Sequence, residues 1–429
     1  MAALSKNSET VSLDFFTREF RAAIFNRRML ICIFTGFTSG LPLYLLLQLV
    51  PAWLRTEGIG LKEIGFFALV QLPYTWKFFW SPLLDRYCIP SFGRRRTWML
   101  ATQIALLFLI IGLGFWQPED DLMLIAGFCV AIAFFSATQD IALDAYRREL
   151  LPDIELGLGN SVHVNAYRAS SFIPGALGLI LADFLDWESV FLVTALFMLI
   201  GISMTLFIHE AFVPKEMPGS LREVVKNSFT DFFGKQGTGG GLSILLFLVM
   251  YKFGDSLATA LSTPFYIDMG FSLTEIGFIA KNAAFWPSVI GGMLGGVLML
   301  KTGINRALWL FGFVQLVTIL GFAWLVDVGP DRLALAVVIS LEYLGVGLGT
   351  AAFIAFIART TTPAYAATQF ALFTALTALP RTMVNAFAGV LVEMLGWQNY
   401  FYMCTLLAIP GMLLLLKVAP WNGDQEKPA

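Results

Sequence analysis

The amino-acid sequence predicts an all-α, polytopic membrane protein with twelve transmembrane helices arranged as two bundles of six. Hydrophobic residues make up 57% of the 429 residues and charged residues 14%, and the mean hydropathy is +0.74. Soluble domains carry about 25% charged residues. The segment at 61–67 (LKEIGFF) returns at 273–279 (LTEIGFI). A repeat in the same order in each half predicts two bundles related by an axis along the membrane normal.

The repeat extends well beyond this block, at nearly constant spacing. Similar residues recur along both halves: Gly58 with Gly270, Arg94 with Arg306, Gln103 with Gln315 and Trp187 with Trp397. The two halves are therefore expected to place equivalent turns and helix ends at equivalent depths in the membrane.

A spanning helix needs about 20 apolar residues, and twelve stretches of the chain qualify. Six cover 29–54, 64–84, 97–115, 122–142, 159–182 and 188–208, and six cover 243–267, 275–300, 307–326, 332–357, 366–393 and 398–418. The predicted domains are an amphipathic N-terminal segment (1–28), a first bundle (29–208), a linker with an interfacial helix (209–242), a second bundle (243–418) and a tail (419–429). The interfacial helix is expected because apolar residues recur at helical spacing in the linker.

Lysine and arginine predict the orientation of the chain. They concentrate on the side of both termini, whereas the other side carries Arg55, Lys62 and Arg332. The positive-inside rule therefore predicts that both termini lie in the cytoplasm. The N-terminal segment lacks the pattern of a cleavable signal peptide, so we expect insertion to rely on the first span.

Catalytic and nucleotide-binding patterns are missing from the sequence. No segment matches GxxxxGK[ST], which argues against an ATP-driven pump. The only histidines, His163 and His209, are too few and too scattered for a zinc or haem site. We therefore predict no cofactor, no metal and no nucleic-acid partner, and expect any transport to use an ion gradient or the solute gradient itself.

Several cations lie well inside predicted spans: Lys77, Arg168, Lys252 and Arg381. A charge at the bilayer centre costs about 2.5–3.5 kcal/mol on insertion scales, so such residues usually face a cavity or a partner. They predict a cationic interior suited to an anionic ligand. The alternative is ion pairing within the protein, for example of Lys252 or Arg381 with Asp255 or Glu342. A further cation, Lys281, sits nearer the outer end of span eight.

Acidic residues are fewer at depth, and three of them are candidates for proton coupling. Asp255 lies near the middle of span seven, Glu342 on span ten and Asp140 on span four. A proton-coupled carrier needs a carboxylate whose proton affinity changes during the transport cycle. A structural role is the alternative for each. Asp144, one turn after Asp140, is expected at the membrane boundary.

Aromatic residues inside the spans can stack on a sugar ring and form hydrogen bonds through their polar edge. With one amide, the candidates for ligand binding are Tyr74, Trp76, Tyr167, Trp286 and Gln139. Most of the 40 phenylalanines are instead expected to face lipid or the core.

The loop after span two carries a charged motif, from Asp85 and Arg86 to Arg94, Arg95 and Arg96. It resembles, with several extra residues, the D-R-x-G-R-[RK] signature of the major facilitator superfamily. The resemblance implies the major-facilitator fold and a breakable charge network at the cytoplasmic side. The gating candidates are Asp85, Arg86, Arg94, Asp144 and Arg148. The alternative is a charge cluster that only fixes the topology.

Four ordered segments of the first half, 36–43, 77–87, 92–96 and 136–145, resemble the motifs of AmpG-type muropeptide permeases. The resemblance implies a multi-pass permease of the bacterial inner membrane. Such a permease would import GlcNAc-1,6-anhydroMurNAc peptides (anhydromuropeptides) from periplasm to cytoplasm by alternating access, driven by protons. The implied cellular roles are peptidoglycan recycling and supply of the signal for β-lactamase induction, which bears on antibiotic resistance.

The expected partners are the anhydromuropeptide, protons and the lipid bilayer, and a monomer is expected. One alternative is a carrier of another anionic solute such as acetyl-coenzyme A, and another is an exporter of amphipathic compounds. An intramembrane acyltransferase or a receptor is disfavoured, because the sequence offers neither a catalytic histidine with a partner nor a soluble sensory domain.

Overall fold

The computed structural model describes residues 26–81, 84, 92–152, 156–209, 221–360 and 366–423. Their regular secondary structure is helical, and they form the two six-helix bundles that the sequence predicts. Nearly all of the predicted N-terminal amphipathic segment and most of the predicted tail lie outside these ranges. The helix predicted in the linker falls within Leu221–Met250, which is interrupted at Gly237 (φ 68°).

Nine helical stretches of the described chain are long and apolar enough to cross a membrane. Labelled by span, they are α1 (Arg27–Thr56), α3 (Arg94–Leu113), α4 (Pro118–Leu150), α6 (Trp187–Phe207), α7 (Phe232–Asp268), α8 (Leu273–Met299), α9 (Lys301–Val328), α10 (Arg332–Ile357) and α12 (Ala388–Val418). Three further spans are broken or more polar: α2 (Leu61–Phe66, Phe67–Gln71, Leu72–Trp76 and Lys77–Phe79), α5 (Leu156–Ser170, Ile173–Gly178 and Leu179–Ala182) and α11 (Ala366–Asn385). Gly396 (φ 74°) interrupts α12, so residues 388–395 complete the eleventh span.

The sequence repeat is also a repeat of backbone structure. Gly58 (φ 83°) and Gly270 (φ 89°) hold corresponding turns in the left-handed region, which glycine adopts without a steric penalty. Just after these turns, α2 begins at Leu61 and α8 begins at Leu273. The same turn therefore starts the second helix of each bundle.

Side-chain packing repeats as well. The rings of Trp53 and Phe191 lie 4.9 Å apart at an angle of 72° in the first bundle. The rings of Phe265 and Phe401 lie 4.9 Å apart at 72° in the second. Both pairs tie the end of a first span to the last span of the same bundle, so each bundle has its own aromatic core.

The two bundles meet at the face of the molecule opposite the termini, which we name the opposite face. Three polar links cross between the bundles there: Arg55 Nε to Asp268 Oδ1 at 2.6 Å, Thr274 N to Asp183 Oδ2 at 2.6 Å and Lys62 N to Glu393 Oε1 at 2.9 Å. The last two are equivalent in the repeat, with the bundles exchanged. In both, an acidic side chain of one bundle accepts a hydrogen bond from the first turn of a helix in the other, where the helix dipole favours negative charge.

Backbone packing closes the same face. A Cβ atom on Gly389 would lie 1.8 Å from the carbonyl oxygen of Leu61, and one on Gly277 would lie 2.8 Å from that of Ala176. Residues with side chains could not approach so closely. We name the face that carries the start of α1 and the end of α12 the terminal face.

Candidate functional site

A cavity of about 600 Å³ lies between the two bundles, within the range of about 300–1,000 Å³ typical of ligand pockets. Its polar lining comes from both halves and includes Tyr44, Gln48, Gln71, Arg168 and Ser171 from the first, and Ser256, Thr259, Lys281, Tyr343, Thr350, Arg381 and Asn385 from the second. A site shared in this way changes shape when the bundles move relative to each other.

Irregular helical turns position part of this lining. Short π-helical segments interrupt three spans: Leu45–Leu49 in α1, Ile173–Gly178 in α5 and Ile276–Ala280 in α8. A π turn holds one more residue than an α turn and rotates the helix that follows, and such turns are frequent at functional sites. Gln48 lies in the first segment, Gly175 in the second, and Lys281 directly follows the third.

Three cations face the cavity: Arg168, Lys281 and Arg381. Within the described ranges, none of the three forms an ion pair with a carboxylate. Unpaired cations at this depth are unfavourable unless the cavity supplies water or an anionic ligand. The cavity is therefore electrostatically suited to an anion.

Lys77 and Lys252 are in ion pairs instead. Lys77 Nζ lies 3.7 Å from Asp140 Oδ2, and Ser39 Oγ donates a hydrogen bond of 2.5 Å to Asp140 Oδ1. Lys252 Nζ lies 3.2 Å from Asp255 Oδ2. The second pair corresponds to the ion-pair alternative that the sequence left open for Lys252.

Lys281 joins the two halves inside the cavity. Its Nζ donates a hydrogen bond of 3.1 Å to Gln48 Oε1 of the first bundle. The same atom lies 5.4 Å from the ring centroid of Tyr44 and 5.6 Å from that of Phe172. Aromatic faces attract a cation through their quadrupole. These neighbours supply one hydrogen-bond acceptor and two aromatic faces, and none of them is a carboxylate.

A second cavity of about 330 Å³ adjoins the second bundle, with Lys252, Asp255 and Arg381 in its wall. Arg381 lines both cavities. Glu342 is fully buried, and its carboxyl group neighbours that of Asp255. In the described part of the chain, both carboxyl oxygens of Glu342 and Oδ1 of Asp255 are buried without a hydrogen-bond donor.

The other ligand-binding candidates do not line the central cavity. Tyr167 packs edge-on against Tyr44 with ring centroids 5.7 Å apart, one layer behind the wall. The Tyr74 hydroxyl and the Gln139 amide are buried within the first bundle. Trp76 and Trp286 are 46% and 57% exposed and line neither of the two cavities.

Comparison with known proteins identifies the group to which this fold belongs. The family model of the Major Facilitator Superfamily matches residues 32–385. The chain belongs to the major facilitator superfamily. A protein of Haemophilus influenzae is 52% identical over 416 residues, which cover 94% of this chain and 97% of that protein.

The anhydromuropeptide permease of Escherichia coli (strain K12) is 40% identical over 392 residues, which cover 91% of this chain and 79% of the permease. The AmpG-type resemblance is thereby confirmed as family membership. The crystal structure of a mutant of the nucleoside transporter NupG superposes with a TM-score of 0.68, covering 91% of this chain and 100% of that one. The two sequences are 13% identical, so this similarity concerns the fold alone. The protein is accordingly a multi-pass major-facilitator transporter.

The described part of the signature motif, Arg94, Arg95 and Arg96, lies at the terminal face. Asp85 and Arg86 fall outside the described residues. Arg94 and Arg95 contact Glu149 Oε1 at 3.4 Å and 2.8 Å, which joins the start of α3 to the end of α4. In this conformation the described part of the charge network therefore links helices of one bundle.

Asp144 and Arg148 lie one turn apart at the end of α4. Asp144 Oδ1 is 2.9 Å from a guanidinium nitrogen of Arg147, and the Asp144 side chain is 54% exposed. The expected place of Asp144 at the membrane boundary and the gating role of both residues stay predictions.

The cavity residues that sequence reasoning did not name as binding candidates include Gln48, Lys281 and Asn385. Lys281 had a usable signal, because no acidic residue lies within one helical turn of it on either side. Gln48 and Asn385 are amides inside apolar stretches, which is a weaker signal. Their role became visible only when the helices were placed around the cavity.

Proposed function

We propose that this protein is a proton-coupled inner-membrane transporter that imports anhydromuropeptides from the periplasm to the cytoplasm by alternating access. The observation that carries the proposal is the cavity between the bundles, which Arg168, Lys281 and Arg381 face without ion pairs inside the described ranges. The 40% identity to an anhydromuropeptide permease supports the choice of cargo. In the cell the transporter would serve peptidoglycan recycling and supply the signal for β-lactamase induction.

The chemistry of this cargo fits the cavity wall. The stem peptide of an anhydromuropeptide carries carboxylates, which the guanidinium groups of Arg168 and Arg381 can bind in bidentate fashion. Its sugar rings can stack on Tyr44, which the ring of Tyr167 supports from behind. The wall residues named here all belong to one chain, and the proposed transporter is a monomer.

Alternating access requires that one side of the cavity closes while the other opens. The opposite face is periplasmic in this proposal, since lysine and arginine concentrate at the terminal face. The links from Asp183 to Thr274 and from Glu393 to Lys62 then close the periplasmic side. Import requires them to break and the charged groups of the terminal face to form the opposing closure.

Proton coupling is proposed at Asp255 and Glu342. Asp255 pairs with Lys252, neighbours Glu342 and shares a cavity wall with Arg381. A carboxylate of the cargo bound at Arg381 would change the electrostatic surroundings of Asp255, which links cargo binding to proton exchange. Asp140, paired with Lys77, is the second choice because it lies in the first bundle, away from the central cavity wall.

Counterflow in proteoliposomes tests this function. Vesicles with purified protein are loaded with unlabelled anhydromuropeptide and diluted into a trace of labelled compound. We expect transient accumulation of label that excess unlabelled anhydromuropeptide abolishes and acetyl-coenzyme A leaves unchanged. Competition by acetyl-coenzyme A alone would favour the other anionic cargo, and vesicles that take up no label would refute the proposal.

A further inference from the structure

Lys281 occupies a position that three helices build together. The π-helical segment Ile276–Ala280 precedes it in α8, and its Nζ reaches Gln48 of α1 at 3.1 Å. On the α5 side, a Cβ atom on Gly175 would lie 1.9 Å from Gln48 Oε1 and 3.4 Å from Lys281 Nζ. Glycine at this position therefore leaves the space in which the amide and the ammonium group meet.

The ammonium group is incompletely satisfied. An ammonium has three donors, and the polar partner described for it is the single amide oxygen of Gln48. The rings of Tyr44 and Phe172 cover it at 5.4 Å and 5.6 Å. In the described part of the chain no carboxylate pairs with it. A half-buried cation with spare donors in a cavity wall attracts a carboxylate more strongly than an amide oxygen.

We propose that Lys281, Gln48 and the rings of Tyr44 and Phe172 form a carboxylate subsite that bridges the two bundles. When the carrier is empty, Gln48 Oε1 accepts a hydrogen bond from Lys281 in place of the carboxylate. The subsite takes one carboxylate of the stem peptide, so the inference rests on the proposed function. When the carboxylate arrives, it replaces Gln48 Oε1 at the ammonium group. The Gln48 amide then has its two N–H donors available for the second oxygen of the carboxylate.

Ligand binding at this subsite changes a contact between the bundles, which binding at Arg168 or Arg381 alone does not. Each of those arginines projects from one bundle, whereas Lys281 and Gln48 come from different bundles and touch each other. When the carboxylate binds, Lys281 therefore loses its hydrogen bond to Gln48 of the other bundle and gains one to the cargo. Binding of a negatively charged ligand at Lys281 thus breaks a contact between the two bundles.

The test compares two ligands in equilibrium binding to the purified full chain: an anhydromuropeptide with free stem-peptide carboxylates and the same compound with those carboxylates amidated. A charge-assisted hydrogen bond contributes enough to change affinity by about tenfold to a hundredfold. We expect Lys281→Gln to weaken binding of the free acid by about tenfold or more and to change binding of the amidated ligand by less than about twofold.

Two further variants keep the test decisive if Lys281→Gln is poorly folded. Lys281→Arg retains a cation and should restore most of the preference for the free acid. Gln48→Glu places a permanent carboxylate beside Lys281 and should weaken binding of the free-acid ligand as much as Lys281→Gln does. The matched control is Lys301→Gln, which removes a lysine from an exposed position at the start of α9 and should leave both affinities unchanged.

The outcomes separate this inference from the proposed function. If the wild type binds neither ligand, both the proposed function and the proposed subsite are wrong. If the wild type prefers the free acid and Lys281→Gln or Gln48→Glu keeps that preference in full, the subsite is wrong while the function stands.

Discussion

Asp183 Oδ2 accepts a hydrogen bond of 2.6 Å from the backbone N–H of Thr274 and so caps the start of α8 with a side chain from the other bundle. Glu393 does the same for α2 at Lys62, at 2.9 Å. Helix capping usually stabilises one helix locally, but here the two caps join the bundles across the interface that a transporter must open. Together with the Arg55–Asp268 pair, these two caps hold the opposite face closed.

We expect the combined replacement of Asp183 and Glu393 by Ala to favour opening of this face. Loss of one cap costs roughly 0.5–2 kcal/mol, so loss of both should raise the ratio of open to closed form about fivefold or more. The measurement is the rate at which Ala68→Cys, in the cavity-lining part of α2, reacts with a membrane-impermeant thiol reagent added outside cells.

The control for this prediction is Asp186→Ala. Asp186 also caps a helix, accepting a hydrogen bond of 3.1 Å from Ser189 N, but both residues belong to one bundle. Its replacement should leave the labelling rate of Ala68→Cys unchanged. Equal rates in the double variant and in the wild type would show that the caps do not hold the bundles together.

Close packing at Gly389 gives a second prediction. An added Cβ atom would lie 1.8 Å from the Leu61 carbonyl oxygen, which is backbone and cannot rotate away. We expect Gly389→Ala to cost about 1–3 kcal/mol in the closed form and to reduce transport. Gly296→Ala is the control, since its Cβ meets nothing within 4 Å. Transport by Gly389→Ala at the wild-type rate would contradict the close approach of α2 to this segment.

The cations of the cavity give a third prediction. Arg168→Gln and Arg381→Gln should each raise the concentration of cargo needed for half-maximal uptake by about tenfold or more, because each removes a charged hydrogen-bond donor from the wall. Arg332→Gln is the control, since its side chain is 74% exposed and pairs with Glu275 within the second bundle. Uptake and membrane expression are measured together. Normal concentration dependence in both cavity variants would remove carboxylate recognition from the mechanism.

The fourth prediction concerns energy coupling. A neutral amide at a coupling carboxylate removes its ability to exchange a proton while keeping its shape. Asp255→Asn and Glu342→Gln should therefore lose accumulation driven by a pH gradient, and at least one should retain exchange of cargo for cargo. Asp140→Asn is the third variant in the series. If all three still concentrate cargo in response to the gradient, the coupling group lies elsewhere.

The architecture could be predicted because it depends on properties that are local in the sequence. Apolar length sets a span, and the recurrence of 61–67 at 273–279 sets the relation between the bundles. The turns at Gly58 and Gly270 follow from the same register. Family membership follows from the order of short charged and glycine-containing motifs. None of these features requires knowledge of which helix faces which.

The site was harder to predict, because the rotation of each helix about its axis decides which of its residues face the cavity. Trp76 and Trp286 resemble ligand-stacking residues in sequence, but they lie away from both cavities, since an aromatic ring is accepted equally by lipid and by a cavity wall. Lys281 lies in the cavity wall directly after the π segment Ile276–Ala280, whose presence the sequence does not reveal. The pairing of Lys77 with Asp140 depends on how α2 packs against α4.

Gradient-driven uptake by the wild-type protein tests the central claim most directly. Proteoliposomes that contain the purified protein receive labelled anhydromuropeptide outside, with an imposed pH gradient that is acidic outside. The proposed function predicts accumulation of label above the external concentration, and its collapse when a protonophore dissipates the gradient. Label that never exceeds equilibrium, or that accumulates equally with the protonophore present, would contradict proton-coupled import of this cargo.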